Sequence, residues 1–116
     1  EIVEPLAERS SKLLQSLDYE NVVVRSGDGY QGWPAEAPFD AIIVTAGASH
    51  VPPALLEQLK LGGKMVIPVG EKFWDENLTL IEKKKNGQIV SKQLGWVMFV
   101  DFTGEITKQK WPRGNR

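Results

Sequence analysis

Leu6, Leu13, Leu14 and Leu17 recur at helical spacing while Glu8, Arg9, Lys12 and Gln15 take the opposite face, so the chain is expected to open with an amphipathic helix that covers a sheet. Pro5, pre-set for a first helical turn, starts this helix almost at residue 1, and it should end near Leu17. The β-branched run Asn21-Val22-Val23-Val24-Arg25 predicts a strand that stops at the loop Ser26-Gly27-Asp28-Gly29. After a loop with Trp33, Pro34 and Pro38, the unbroken apolar stretch Asp40-Ala41-Ile42-Ile43-Val44-Thr45-Ala46 reads as a central parallel strand buried on both faces. Pro52-Pro53 begins a second helix with Leu55, Leu56 and Leu59 on one side, and Gly62-Gly63 ends it. Met65-Val66-Ile67-Pro68-Val69 is the next strand.

From there the pattern turns antiparallel. Leu78-Thr79-Leu80-Ile81-Glu82 and Gln88-Ile89-Val90-Ser91 flank Lys84-Lys85-Asn86-Gly87, whose Asn-Gly pair is a strong hairpin signal. Gly95-Trp96-Val97-Met98-Phe99-Val100 reads as a last strand, and the tail after Trp111 as frayed. The order helix, strand, strand, helix, strand, hairpin is that of the second half of a doubly wound α/β sheet, so residues 1–116 are expected to be a single partial domain.

Composition narrows the function classes. The 116 residues are 41% apolar, enough for one core. Fourteen Lys and Arg are interspersed with fifteen Asp and Glu, net charge −1, which leaves no basic face for nucleic acid. Lys83-Lys84-Lys85 fits a solvated hairpin tip. Without cysteine there is no disulfide framework and no thiolate metal site, which agrees with a cytoplasmic setting. No apolar run approaches the roughly 20 residues that span a bilayer. The single histidine, His50, precedes Val51-Pro52-Pro53 and is expected to be a polar surface residue, without partners for a metal.

In an open α/β sheet ligands bind beyond the carboxyl ends of the strands, which singles out three side chains. Glu1 could accept both hydrogen bonds of a ribose diol. Asp28, between two glycines that let a flat ring approach, could accept from an exocyclic amine. Thr45 could turn a hydroxyl to the reacting group. Each has a plainer reading: a turn for Gly27-Asp28-Gly29, a solvated carboxylate for Glu1, a strand cap for Thr45.

Together, Gly27-Asp28-Gly29-Tyr30-Gln31-Gly32-Trp33-Pro34, Ala37-Pro38-Phe39-Asp40-Ala41-Ile42-Ile43-Val44-Thr45-Ala46, Val51-Pro52-Pro53-Ala54-Leu55-Leu56-Glu57-Gln58-Leu59 and Gly62-Gly63-Lys64-Met65-Val66-Ile67-Pro68-Val69-Gly70 closely resemble the protein-L-isoaspartate O-methyltransferase family. The resemblance runs through nearly the whole chain and implies a Rossmann-like methyltransferase sheet. It also implies S-adenosyl-L-methionine as methyl donor and isoaspartyl-containing proteins or peptides as partners, with methyl transfer to the isoaspartyl α-carboxylate as the reaction. Carried over by residue, it implies Glu1 on the cofactor ribose, Ile2 beside the adenine, Asp28 and the Gly29 backbone on the adenine edge, Thr45 and Ala46 between sulfonium and substrate, and Thr103 near the cofactor.

The chain also departs from the family's pattern. The Gly-rich cofactor loop that the family carries before the position of Glu1, and the upstream Ser-containing segment, are absent, so the 116 residues alone are expected to be inactive or nearly so and to pair or exchange through exposed sheet. Asp101-Phe102 stands where Pro-Leu is common, and Gly47 where alanine is frequent. Two further readings stay open: a non-catalytic scaffold or dimerisation module, and a methyltransferase with another substrate, for which the near-neutral charge argues against RNA.

Overall fold

The computed structural model describes residues 1–72 and 74–108. The expected frayed tail after Trp111 lies outside them. Helix α1 spans Glu4–Ser16, with Pro5 in its first turn and the Val3 carbonyl accepting from Leu6 N and Ala7 N at 3.0 Å each. It closes as a Schellman motif: Asp18 takes φ 62°, its N–H reaches Gln15 O at 3.1 Å, and Tyr19 N–H reaches Leu14 O at 3.1 Å. The expectation that its leucines cover a sheet is not met. Leu6, Leu13 and Leu17 are 47%, 56% and 58% exposed, and Ala7 is the helix's buried residue. Its small-residue side, Ala7 and Ser11, lies toward Val24 and Ser26 instead.

The predicted strand at 21–25 is likewise absent as a strand. β-branched residues favour extended backbone, but a strand exists only when its N–H and C=O groups pair along their length. Among the described residues the pairing is limited to Glu1, whose nitrogen donates to Arg25 O at 3.1 Å and whose carbonyl accepts from Gly27 N at 2.9 Å. Val23 is accordingly exposed.

Strands β1 (Phe39–Ile43), β2 (Leu59–Val69), β3 (Glu76–Lys83) and β4 (Ile89–Val97) form one sheet in that order. β1 pairs β2 in parallel, with Ile42 opposite Met65, and the other two pairings are antiparallel. The expected central strand is therefore an edge strand: β1 has one partner, and Ile43 is 75% exposed. Helix α2 is shorter than expected, Pro53–Gln58, because Leu59 already pairs with Phe39 and β2 runs through Gly62-Gly63 rather than starting after them. The hairpin forms where expected, with Gly87 at φ 87° and its N–H on Lys84 O at 2.8 Å. The predicted strand at 95–100 merges into β4 and ends at Val97.

Alternation along the sheet sends Met65, Ile67 and Ile81 to one side. There they join Leu55 and Leu59 with Ala48 and Ile106 in a core whose members are 0–6% exposed. Each large aliphatic chain buried this way contributes about 1.5–3 kcal/mol. Beyond β1, the backbone at 44–48 follows β2, with Val44 N on Val66 O and Ala48 N on Pro68 O, both at 2.9 Å. On its other side Gly47 bridges to the segment after β4, donating to Val100 O at 2.7 Å and accepting from Phe102 N at 2.9 Å. That bridge carries residues 100–103 to the carboxyl end of β1, where an open α/β sheet binds its ligands.

Candidate functional site

A cavity of about 570 Å³ opens at the carboxyl end of β1. Glu1, Ile2, Gly29, Thr45 and Thr103 all line it, with Ala46 and Phe102 between them. Five residues spread over most of the sequence thus meet in one place. Three local devices bring them there. The pairing of Glu1 with Arg25 and Gly27 sets the first residue beside the glycine loop. The run-on of β1 delivers Thr45, and the Gly47 bridge delivers Thr103.

Asp28 does not line this cavity. It faces a smaller neighbouring recess of about 150 Å³, shared with Glu1, Gly29 and Trp33. Its carboxylate is already engaged: Oδ1 accepts from Tyr30 N at 2.9 Å, capping the 3₁₀ turn Gly29–Gln31, and Oδ2 accepts from Glu105 N at 2.6 Å, 77 residues along the chain. The loop is therefore a turn and a tether at once. Gly104, at φ 106°, permits the tether, since a Cβ there would fall on the Asp28 carboxylate. Arg25 stacks over Trp33 at 5.4 Å and donates to Gly32 O at 3.3 Å, and Gln58 closes the loop from α2 by accepting from Trp33 N at 2.8 Å. The Glu1 carboxylate accepts from Val3 N at 3.0 Å through Oε1.

His50 is a correction. It is 2% exposed rather than a surface residue, with Tyr30 Oη 2.9 Å from Nε2 and Ser49 Oγ 3.0 Å from Nδ1. Burial lowers its pKa from the ordinary value near 6.5, and Tyr30 is held protonated by burial and then by the carboxylates of Glu105 and Asp28. The Tyr30 hydroxyl thus shares a hydrogen bond with a neutral imidazole, tying the glycine loop to the turn before α2. No spacing rule foretold this pair, because loop 29–31 and residue 50 meet only through the packing of α2. Since the folded pKa is depressed, the unfolded chain binds the proton first. The resulting stability is fully present above about pH 6.5 and falls as pH drops below it, by at most about 1.4 kcal/mol per pH unit. Urea midpoints at pH 7.5 and 5.5 should show this loss in the wild type and a smaller one in His50→Gln.

The fold and the cavity beyond its parallel strand define the chain's class as part of an α/β, Rossmann-like domain. A solved protein-L-isoaspartate O-methyltransferase matches it with TM-score 0.83 and 31% identity over 91% of this chain and 33% of the other. A beta-aspartate methyltransferase (PCMT) from Plasmodium falciparum, solved in complex with S-adenosyl-L-homocysteine, matches with TM-score 0.74 and 32% identity over 89% and 50%. The sequence model of the protein-L-isoaspartate(D-aspartate) O-methyltransferase family matches residues 1–107, and the chain belongs to that family.

Among curated relatives, protein-L-isoaspartate O-methyltransferase 2 of Polaromonas sp. strain JS666 is 53% identical over 90% of this chain and 50% of its own length. Protein-L-isoaspartate O-methyltransferase 1 of Nitrosospira multiformis is 55% identical over 90% and 44%. The chain spans about half the length of these relatives. Among the described residues no helix is long and apolar enough to cross a membrane.

Proposed function

We propose that the protein to which these residues belong transfers a methyl group from S-adenosyl-L-methionine to the α-carboxylate of L-isoaspartyl residues in damaged proteins, and that this chain supplies the adenosine half of the site. The observation that carries this reading is the meeting of Glu1, Ile2, Gly29, Thr45 and Thr103 around one cavity beyond β1. The chemistry of the lining suits the donor. Glu1 offers carboxylate oxygens to a ribose diol, Ile2 and Phe102 offer apolar walls to a flat base, and the Gly29 backbone can approach that base closely. Asp28 already accepts two backbone N–H groups, and a carboxylate has capacity for about four hydrogen bonds, so an adenine amine would add a third without breaking the tether.

Bound here, the sulfonium supplies the electrophilic methyl. A carboxylate acceptor with a pKa near 4 is ionised at neutral pH, so no general base is needed. The role left to this chain is to align the acceptor and exclude water. Thr45 and Ala46 would line the passage between the two reactants. His50, tied up between Tyr30 and Ser49 and absent from the linings of both recesses that hold the proposed adenosine contacts, takes no part in the chemistry. We further assign the protein to the cytoplasm, in keeping with its cysteine-free sequence.

The test is a methylation assay of the longer protein on an isoaspartyl peptide beside its aspartyl twin. Labelling confined to the isoaspartyl peptide is expected, at a ratio of at least about a hundredfold, because a site shaped for one carboxylate position leaves the other misaligned. Equal labelling of the twins would refute the repair assignment.

A further inference from the structure

Gly47 and Asp101, two of the positions at which the sequence departs from the family's pattern, are bridge partners, with Gly47 hydrogen-bonded to Val100 and Phe102 on either side of Asp101, and a buried carboxylate lies beside Gly47. Glu76, the first residue of β3, is 1% exposed. Its Oε1 accepts from Phe99 N at 3.2 Å, while its buried Oε2 has no hydrogen-bond partner among the described residues. The Glu76 carboxylate occupies the space that any side chain at 47 would need, so glycine at 47 and glutamate at 76 are a matched pair. Both line a cavity of about 430 Å³ that shares Asp101 and Phe102 with the cavity beyond β1.

The lining of this second cavity is acidic. Among the described residues, Glu76 and Asp101 face it together with Glu71, and the one Lys or Arg in the lining is Lys72, whose ammonium lies 5.1 Å above the Trp74 ring at the exposed rim. Phe102 and Ile106 add apolar wall, and Ser49 and Thr107 add hydroxyls. A carboxylate oxygen buried without a partner costs free energy that an entering donor would recover. A long aliphatic stem ending in a cation meets every one of these features: apolar wall for the stem, an aromatic rim, and carboxylates for the head.

We propose that this cavity is a subsite for a lysine or arginine side chain of the substrate protein, close in sequence to the isoaspartyl residue. The inference rests on the methyltransferase reading and names the substrates that reading would favour. The carboxylates of Asp101 and Glu76 attract the cation, and Asp101, at the wall common to both cavities, disfavours acidic neighbours of the methyl-accepting residue.

The experiment uses the longer protein and a set of isoaspartyl peptides identical except for one flanking position, which is lysine, glutamine or glutamate, with the position scanned on both sides of the isoaspartate. At one or more positions kcat/KM should be at least about tenfold higher with lysine than with glutamate and intermediate with glutamine, most of the difference lying in KM, as expected for charge-assisted contacts. Asp101→Asn should shrink the lysine-to-glutamate ratio at least about threefold. Glu76→Gln should do the same, and where that buried change impairs folding the Asp101→Asn result and the wild-type series decide. Equal kcat/KM across the charge series, with isoaspartyl selectivity intact, would overturn the subsite. Loss of isoaspartyl over aspartyl selectivity would instead strike the underlying reading.

Discussion

Asp28→Ala is expected to destabilise the protein by about 2–4 kcal/mol, a larger loss than a solvated turn residue could produce. The estimate follows from its two bonds. Each hydrogen bond to a charged acceptor is worth about 1.5–3 kcal/mol where it is partly shielded, and loss of an N-cap costs about 0.5–2 kcal/mol. One bond holds the Tyr30 N–H at the start of the Gly29–Gln31 turn, and the other holds the Glu105 N–H in the segment that carries Thr103 to the cavity. Urea unfolding gives the stability directly. Asp28→Asn separates the two bonds, because the amide keeps an acceptor for one N–H and turns a donor toward the other, so it should lose about half as much. A loss below about 0.5 kcal/mol for Asp28→Ala would show that the tether does not hold the loop. Cofactor affinity should fall in both variants, since the carboxylate that orders the loop is also the one proposed to meet the adenine amine.

The second large effect concerns the cofactor and the 116 residues alone. Titration calorimetry should find S-adenosyl-L-homocysteine bound at least about a hundredfold more weakly by this chain than by the longer protein, a difference of about 2.7 kcal/mol. The residues around the cavity beyond β1 offer a diol acceptor, apolar walls and glycine backbone, all suited to the adenosine part. Among the described residues its lining holds no Lys, Arg or His side chain to meet the amino-acid carboxylate of the cofactor. Comparable affinities would mean that the whole site lies within these residues, against the half-site proposal.

How far the sequence reaches can be judged from particular elements. Patterning located α1 to within a few residues, the Asn86-Gly87 turn and the strand through Met65-Val66-Ile67-Pro68-Val69, because those signals are local: a proline at a first turn, an Asn-Gly pair, a short apolar run after a glycine pair. It misjudged residues 21–25, β1 and the leucines of α1 for one reason. Whether an extended apolar segment becomes a paired or central strand, and which helix face is covered, depends on neighbours brought in from elsewhere in the chain, and β-branched composition carries no record of them.

The site divides along the same line. That Asp28 and Thr45 stand at the ends of apolar runs, where an open sheet binds ligands, was written in the order of residues, and the succession of motifs named the family. Only the tertiary structure could decide that Gly47 bridges to residues 100–102, that Asp28 reaches Glu105 across 77 residues, that His50 is buried against Tyr30, and that Glu76 fills the space above which glycine stands. Gly27-Asp28-Gly29 is the clearest case. Its sequence allowed a turn or a ligand contact, and the fold makes it a turn whose carboxylate also clamps the far end of the chain, because a short charged side chain between two glycines is free to accept from whichever backbone packing brings near.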